Sequence, residues 1–171
     1  MITILEKVPK LIKNSLIIFL IFPLIVWSVE KFAMENPAKE KITLRLAITS
    51  SEHQKGLSGL KPNEFRSNEG MLFINDRVST RKFWMPDTYF NLDIIFLDDS
   101  LKIVGIEKNV PAHPGLSEPP AIYRTKEYQA KYILETKAGV KFSKKLKNGD
   151  KLTWVSANSL SEIELKTHQK Q

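Results

Sequence analysis

The segment from Lys82 to Asp98, KFWMPDTYFNLDIIFLD, combines five large aromatic side chains with three aspartates, and the predicted fold is built around it. Its second half, Leu92 to Leu97, is apolar at every position except Asp93. A short apolar run bounded by turn residues is typical of a buried β-strand. Because alternate residues of a strand face opposite sides, Asp93 shares a face with Ile95 and Leu97. The segment therefore predicts a strand with a carboxylate on the same face as two aliphatic side chains. In its first half, the three consecutive bulky residues Phe83 to Met85 mean that either both faces are covered or one lines a cleft, and we expect two-sided burial because it is the commoner outcome.

Asp93 has two interpretations. An isolated buried charge is costly, so its carboxylate must be paired, hydrogen-bonded or protonated. In the functional interpretation Asp93 is an acid or a ligand-binding group. In the structural one it accepts backbone amides from the loop Met85 to Thr88, and we favour this because structural networks perturb carboxylates as often as active sites do. We expect any binding cleft to lie along the exposed edge of the segment, near Trp84.

Strand signals predominate outward from this segment. Ile42 to Ile48 alternates apolar and polar residues, and Thr49 to Glu52, TSSE, is typical of a capping box that starts a helix ending near Leu57. Asp98 to Ser100 forms a turn, which predicts an antiparallel hairpin over Asn91 to Lys108. The fold class predicted is mostly β, at the margin of α+β: a small antiparallel sheet or partly closed barrel with one or two short helices. Further strands are predicted at 71–74, 82–85, 101–107, 130–136 and 152–155.

The N-terminus has the pattern of an export signal. Three lysines precede an apolar stretch from Leu16 to Trp27, which predicts a signal peptide or membrane anchor helix over residues 1–29. Positive residues before such a stretch hold the N-terminus inside. The protein is therefore expected to be exported, periplasmic or extracellular, and to contact the cytoplasmic membrane only through residues 11–29.

The rest of the chain divides into three predicted parts. Residues 30–40 are polar and are interpreted as a linker, residues 41–156 as a single β-rich domain, and residues 157–171 as a polar tail. Within the domain, residues 110–122 contain four prolines and form a long irregular loop. Such a loop is a candidate rim or lid.

Composition excludes several function classes. The chain has no cysteine, so disulfides, thiolate metal sites and cysteine nucleophiles are excluded. An excess of 26 Lys and Arg over 19 Asp and Glu gives a net charge of +7, but no nucleic-acid-binding motif accompanies it, and we expect no specific nucleic-acid partner. The three histidines show no metal-ligand spacing, and only His113, on the proline-rich loop, is kept as a site candidate. No metal or cofactor is predicted.

Short motifs recur along the chain in a characteristic order. They are Gly56-Leu57, Glu69-Gly-Met-Leu-Phe73, Phe83-Trp-Met85 with Thr88, Leu92-Asp93-Ile94, Leu134-Glu135, Ala138-Gly139 and Gly149-Asp150. In order and approximate spacing they resemble the bacterial and archaeal domain-of-unknown-function family 192, over residues 42–155. The resemblance implies a small β-rich domain that is often exported and has no settled biochemical activity.

Two departures from the family pattern bear on the site. The family usually has a basic residue shortly after the Gly-Leu pair. In this chain either Lys61, four positions after Leu57, takes its place or that basic residue is missing. Asp87 and Asn91 occupy the positions where the family commonly has Asn and Pro. If Asp87 lay near Asp93, the two carboxylates would share a proton or hold a cation between them.

These observations give eight candidate binding residues and three function hypotheses. The first is a non-catalytic module that binds a small ligand, a glycan or an envelope protein; the alternative is a carboxylate-dependent hydrolase acting on an envelope or extracellular substrate. The third is an adaptor whose partner adds a strand to a sheet edge. Two candidates also have structural interpretations: Glu135, with Lys131 and Ile133 on its face of the strand, as a member of a surface or cross-strand ion pair, and Glu69 as an acceptor of turn amides. The candidates are Glu69, Trp84, Met85, Asp87, Thr88, Asp93, His113 and Glu135.

Overall fold

The computed structural model describes residues 31–168, which form a seven-stranded sheet curled into a half-barrel with three short helices. The prediction of a mostly β fold is confirmed. The strands are β1 (Phe32–Glu35), β2 (Lys41–Ala47), β3 (Glu69–Arg81), β4 (Leu92–Leu97), β5 (Ile103–Val110), β6 (Tyr128–Lys137) and β7 (Thr153–Trp154). The helices are α1 (Ser50–Lys55), α2 (Lys141–Lys144) and α3 (Leu160–His168).

The strand order across the sheet is β5-β4-β6-β3-β2-β1-β7, which puts β6 and β3 near the centre. Neighbouring strands are antiparallel except β2 and β3, which run parallel. A parallel pair needs a crossover connection rather than a tight turn. Here α1 and the loop after it make that connection between β2 and β3.

Each face of the sheet carries its own hydrophobic core. The first core includes Ile95 of β4 and is closed by Phe142 of α2 and Ile163 of α3. The second core, on the opposite face, includes Phe96 of β4 and Leu57 after α1. Every residue of β4 is consequently buried. In the segment 83–85, by contrast, Met85 is buried but Trp84 is 58% exposed, so the two-sided burial expected there was wrong.

Local signals in the sequence identify α1 and the hairpin correctly. The Thr49 hydroxyl accepts a hydrogen bond from the Glu52 N–H at 3.2 Å, and the Glu52 carboxylate accepts one from the Thr49 N–H at 2.8 Å. This is the predicted capping box. Strands β4 and β5 form the predicted antiparallel hairpin, and the Asp98 carboxylate accepts the Ser100 N–H within its turn at 2.9 Å.

The strand predicted at residues 82–85 is not part of the sheet. Strand β3 ends just before it, and the segment pairs instead with a loop: the Thr125 N–H donates to Phe83 O at 2.8 Å, and the Met85 N–H donates to Tyr123 O at 3.2 Å. Apolar residues show that a segment is buried but not which strand it pairs with. The prediction of a sheet strand here was therefore wrong.

Both predicted flanks of the domain contribute to the sheet or its core. The predicted linker contains β1, whose Met34 is fully buried and which lies between β2 and β7. The predicted polar tail contains α3, whose Ile163 packs in the first core and whose Glu164 pairs with Lys131 at 2.8 Å. Neither segment has a strong periodic pattern, because each contributes only one or two apolar side chains.

The predicted signal or anchor over residues 1–29 lies outside the described residues. Within residues 31–168, no helix combines the length and apolarity needed to span a bilayer.

Candidate functional site

A cavity of about 300 Å³ opens on the side of the sheet that carries the second core. Its walls come from α1, from β3 and β6, and from the segment of residues 82–88. This volume is at the small end of the range for ligand pockets, which span roughly 300–1,000 Å³. The cavity is therefore suited to a small molecule.

Glu135 is an acidic residue in the wall of this cavity. It belongs to the central strand β6, where it pairs in register with Met71 of β3 and Ile94 of β4. The residue is 4% exposed, and no described residue forms a hydrogen bond or ion pair with its carboxyl group. Burial alone raises the pKa of Glu135 to about 8. The group is thus desolvated by the protein without receiving any polar partner in return.

The surface or cross-strand ion pair predicted for Glu135 is not formed among the described residues, and Lys131, the basic residue expected on its face, is not its partner. Lys131 instead pairs with Glu164 of α3. The prediction failed because it assumed a solvent-exposed face for this part of β6, whereas both faces are covered. Glu135 therefore lies in the wall of a cavity and not on a solvent-exposed face, where the ion pair was expected.

Aromatic side chains form much of the wall around this cavity. Phe73 and Phe83 meet edge to face, with ring centroids 4.9 Å apart, and the His53 ring contacts the edge of Phe73 at 5.6 Å. Trp84 also lines the cavity and is 58% exposed, which is high for a large apolar side chain. The cavity therefore has an apolar interior and an exposed aromatic residue at its rim.

Arg81 lines the same cavity at a distance from Glu135. Arg81 of β3 is in register with Tyr128 of β6, and Tyr128 lies seven positions before Glu135. The backbones of Arg81 and Glu135 are therefore roughly 20 Å apart along the strand direction. Its Nε is buried without a hydrogen-bond partner among the described residues, while Nη2 donates to Arg77 O at 3.3 Å. Burial lowers the pKa of Arg81, although a guanidinium stays charged in proteins.

Asp93 is a structural carboxylate on the opposite face of the sheet. Its Oδ1 accepts the Asn109 N–H at 2.9 Å, and its Oδ2 accepts the Gly139 N–H at 3.1 Å and the Ser143 hydroxyl at 2.5 Å. Lys108 Nζ lies 3.8 Å from the same oxygen. The favoured interpretation, a buried carboxylate that accepts amides, is the arrangement observed. The predicted donors in the Met85 to Thr88 loop were wrong, because the donors come from β5 and from the α2 region.

The other predicted carboxylates have separate partners. Asp87 Oδ1 accepts the Gly115 N–H at 3.2 Å, and Asp87 shares no hydrogen-bond partner with Asp93. The two do not form the shared site considered from the sequence. Glu69 accepts the Arg66 N–H at 3.0 Å and pairs with Arg45 at 2.9 Å, and this network lowers the pKa of Glu69 against the opposing effect of burial.

His113 is a buried loop residue. Its Nε2 lies 3.0 Å from Ser117 O, and its backbone N–H donates to the Thr88 hydroxyl at 3.3 Å. It ties the proline-rich loop to the segment of residues 82–88 and is not part of the cavity wall.

The cavity thus brings together four of the eight predicted residues, Trp84, Met85, Thr88 and Glu135, and leaves the other four elsewhere. Phe73 and Arg81 were missed. Phe73 lies in a strand that was predicted from its apolar residues alone, and a single arginine at a strand end gives no signal in one sequence. Their shared position depends on the curl of the sheet.

The fold and the cavity define a β-rich half-barrel domain with a small pocket on one face. The chain belongs to the DUF192 family, described as an uncharacterized ACR, whose model matches residues 32–154. Two crystal structures are similar to it. One, from Sinorhizobium meliloti 1021 and described as a "putative transcription regulator", is 26% identical with a TM-score of 0.57, over 73% of this chain and 92% of that one. The other, a protein of unknown function from Novosphingobium aromaticivorans DSM 12444, is 27% identical with a TM-score of 0.57, over 72% of this chain and 84% of that one. No curated protein matches the chain significantly.

Proposed function

We propose that this protein is a non-catalytic domain that binds a small ligand in the cavity next to Glu135. The observation that carries the proposal is a buried carboxyl group with no partner among the described residues, lining a cavity with aromatic walls. Buried polar groups are normally hydrogen-bonded, so such a group needs a role to offset its cost. Binding a ligand that supplies the missing hydrogen-bond or charge partner would be such a role for Glu135.

The hydrolase alternative has less support from the cavity. Glycosidase-type hydrolysis uses two carboxyl groups on either side of the bond that breaks. Among the described residues that line the cavity, Glu135 is the one acidic side chain. Asp93, the other buried carboxylate, is fully hydrogen-bonded on the opposite face of the sheet. Ligand binding therefore accounts for the site better than catalysis does.

A thermal-shift screen of the full chain tests the proposal. A ligand that binds only the folded state stabilises it and so raises the melting temperature. At a free ligand concentration of a hundred times the dissociation constant, the gain in the free energy of unfolding is about 2.7 kcal/mol. The panel contains metals, sugars, cell-wall fragments, nucleotides, and small amines with their alcohol and carboxylate analogues. We expect at least one organic compound to stabilise the protein, and the Trp84→Ala variant to lose the shift because the rim of the cavity is gone.

The matched control for this screen is Leu116→Ala. Leu116 is 73% exposed on the proline-rich loop and does not line the cavity, so its truncation should leave the shift intact. A flat screen would contradict the proposal and favour a protein partner. An equal loss of the ligand-induced thermal shift in Trp84→Ala and Leu116→Ala would show that the ligand does not bind in the cavity.

We also propose that the domain acts outside the cytoplasm, on the basis of the basic and apolar pattern in residues 1–29. Fusion of residues 1–40 to a reporter enzyme that is active only after export should give activity. Replacement of the apolar residues between Leu16 and Trp27 by polar ones should abolish it. Full activity after that replacement would contradict export by this segment.

A further inference from the structure

The cavity wall contains a carboxyl group that forms no ion pair with any cationic side chain of the described part of the chain. Within residues 31–168, Glu135 forms no ion pair, and desolvation by burial raises the pKa of its carboxyl group. Buried charges in proteins are paired with an opposite charge or with several donors. For Glu135 to be ionised in this cavity, its partner therefore has to come from a ligand, because none of the described side chains supplies one.

We propose that the ligand is a small organic cation, an ammonium or guanidinium group on an apolar body, whose charge is held by Glu135. This inference rests on the proposed function and specifies its ligand class. A cation would provide the charge partner that the described protein groups do not.

The cavity walls favour the same ligand class. Aromatic rings attract cations through the negative potential of their faces, and Phe73, Phe83 and Trp84 all line this cavity. Thr88, also in the wall, already donates its hydroxyl proton to Met85 O at 2.8 Å, and the unpartnered Nε of Arg81 lies at the other end of the wall, seven register positions from Glu135. The volume of about 300 Å³ limits the ligand to a small amine or guanidine.

The other charged or titratable side chains of the wall lie apart from Glu135 in the structure. They are His53 and Lys55 from α1, and Arg81 and Lys82 at the end of β3. His53 is bound through Nε2 to Ala47 O at 2.9 Å, Lys55 and Lys82 are exposed to solvent, and Arg81 is seven register positions away along β6. None of them forms a hydrogen bond or ion pair with Glu135, so its carboxyl group stays available to the proposed cation.

The pH dependence of binding has a defined sign. Since burial raises the pKa of Glu135 to about 8, the group is mostly protonated at pH 6 and must lose its proton to hold a cation. Affinity for an amine should therefore rise by on the order of 50-fold from pH 6 to pH 8, with release of up to one proton per ligand. A ligand that accepts a hydrogen bond from protonated Glu135 would show the opposite trend.

Isothermal titration calorimetry of the full chain tests the inference. The probes are n-butylamine, 1,5-diaminopentane, agmatine and 2-phenylethylamine, each compared with its alcohol or carboxylate analogue at pH 6, 7 and 8. We expect at least one cationic probe to bind more than tenfold tighter than its analogues, and its affinity to increase with pH. Proton release on binding should appear as a binding enthalpy that changes with the ionisation enthalpy of the buffer.

Glu135→Gln is the decisive variant, because it keeps the shape of the protonated side chain and cannot become negative. It should lose at least 50-fold in affinity for the cation. Glu40→Gln is the control, since Glu40 pairs with Lys141 at 2.8 Å away from the cavity and should leave binding unchanged. Thermal melting checks the fold: Glu135→Gln should be at least as stable as the wild type at pH 9, where the wild type must bury a charge.

The outcomes separate the inference from the proposed function. Binding of an alcohol or an anion in the cavity, with amines inactive, would overturn the inference and leave the proposed function standing. Equal amine affinity in Glu135→Gln and the wild type would also overturn it. If no compound of the whole panel binds, both the inference and the proposed function would be wrong. If the variant fails to fold, the pH trend and proton release of the wild type decide the question alone.

Discussion

Two buried acidic residues in this protein have opposite environments. Asp93 accepts three hydrogen bonds and lies 3.8 Å from the Lys108 ammonium, whereas Glu135 has no partner among the described residues. Hydrogen bonds to a carboxylate stabilise its charged form, and desolvation without them stabilises the neutral form. At the residue scale, Asp93 therefore serves the fold, and Glu135 is the residue on which the proposed ligand site rests.

The role of Asp93 can be measured by substitution. Asp93→Asn removes the negative charge and turns an N–H of the new amide toward existing donors, so some of the three hydrogen bonds are lost. We expect a loss of about 1.5–3 kcal/mol in the free energy of unfolding, seen as a melting temperature lower by several degrees. Thermal denaturation followed by circular dichroism measures it.

Asp99→Asn is the matched control for this substitution. Asp99 is exposed in the turn between β4 and β5, and the same chemical change there should alter stability by less than about 0.5 kcal/mol. Equal melting temperatures for Asp93→Asn and the wild type would show that the hydrogen bonds to Asp93 contribute little to stability.

At the scale of elements, β1 is the strand whose importance is least visible in the sequence. It has four residues, yet it fills the position between β2 and β7 and buries Met34 completely. Phe32, in the same strand, contacts Trp154 of β7 with ring centroids 5.9 Å apart. The short β7 depends on β1 for its place in the sheet.

Truncation tests this dependence. A chain that starts at residue 41 lacks β1, leaves the edge of β2 unpaired and exposes the contacts of Met34, whose buried side chain alone contributes about 2 kcal/mol or more. We expect it to unfold at clearly lower urea concentration than a chain that starts at residue 31. The comparison uses equilibrium unfolding of both chains under one set of conditions. Identical midpoints would mean that residues 31–40 act only as a linker.

At the scale of the whole molecule, the two faces of the sheet have different roles. The first core is closed by α2 and α3, and its buried carboxylate, Asp93, is hydrogen-bonded. The second core is covered by α1 and by irregular segments, and these leave a cavity. Irregular segments on a rigid sheet are common carriers of binding sites, because they vary without disturbing the scaffold.

Residues close together in the chain made much of the fold predictable. The apolar run of β4, the alternation of β2, the turn at Asp98 and the capping box at Thr49 are local signals, and each produced an element that the structure contains. Hydrophobic periodicity and turn chemistry act over a few residues, so one sequence is enough to show them.

The sequence by itself thus determined the mostly β class, the hairpin of β4 and β5, and the position of Asp93 within an apolar strand. Only the tertiary structure decided which carboxylate is satisfied and which is not. The donors to Asp93 lie 16, 46 and 50 positions away in the chain, and the cavity beside Glu135 is formed by α1, β3, β6 and residues 82–88 together. The charge state and accessibility of a side chain depend on neighbours brought together by folding, and no local pattern encodes those distances.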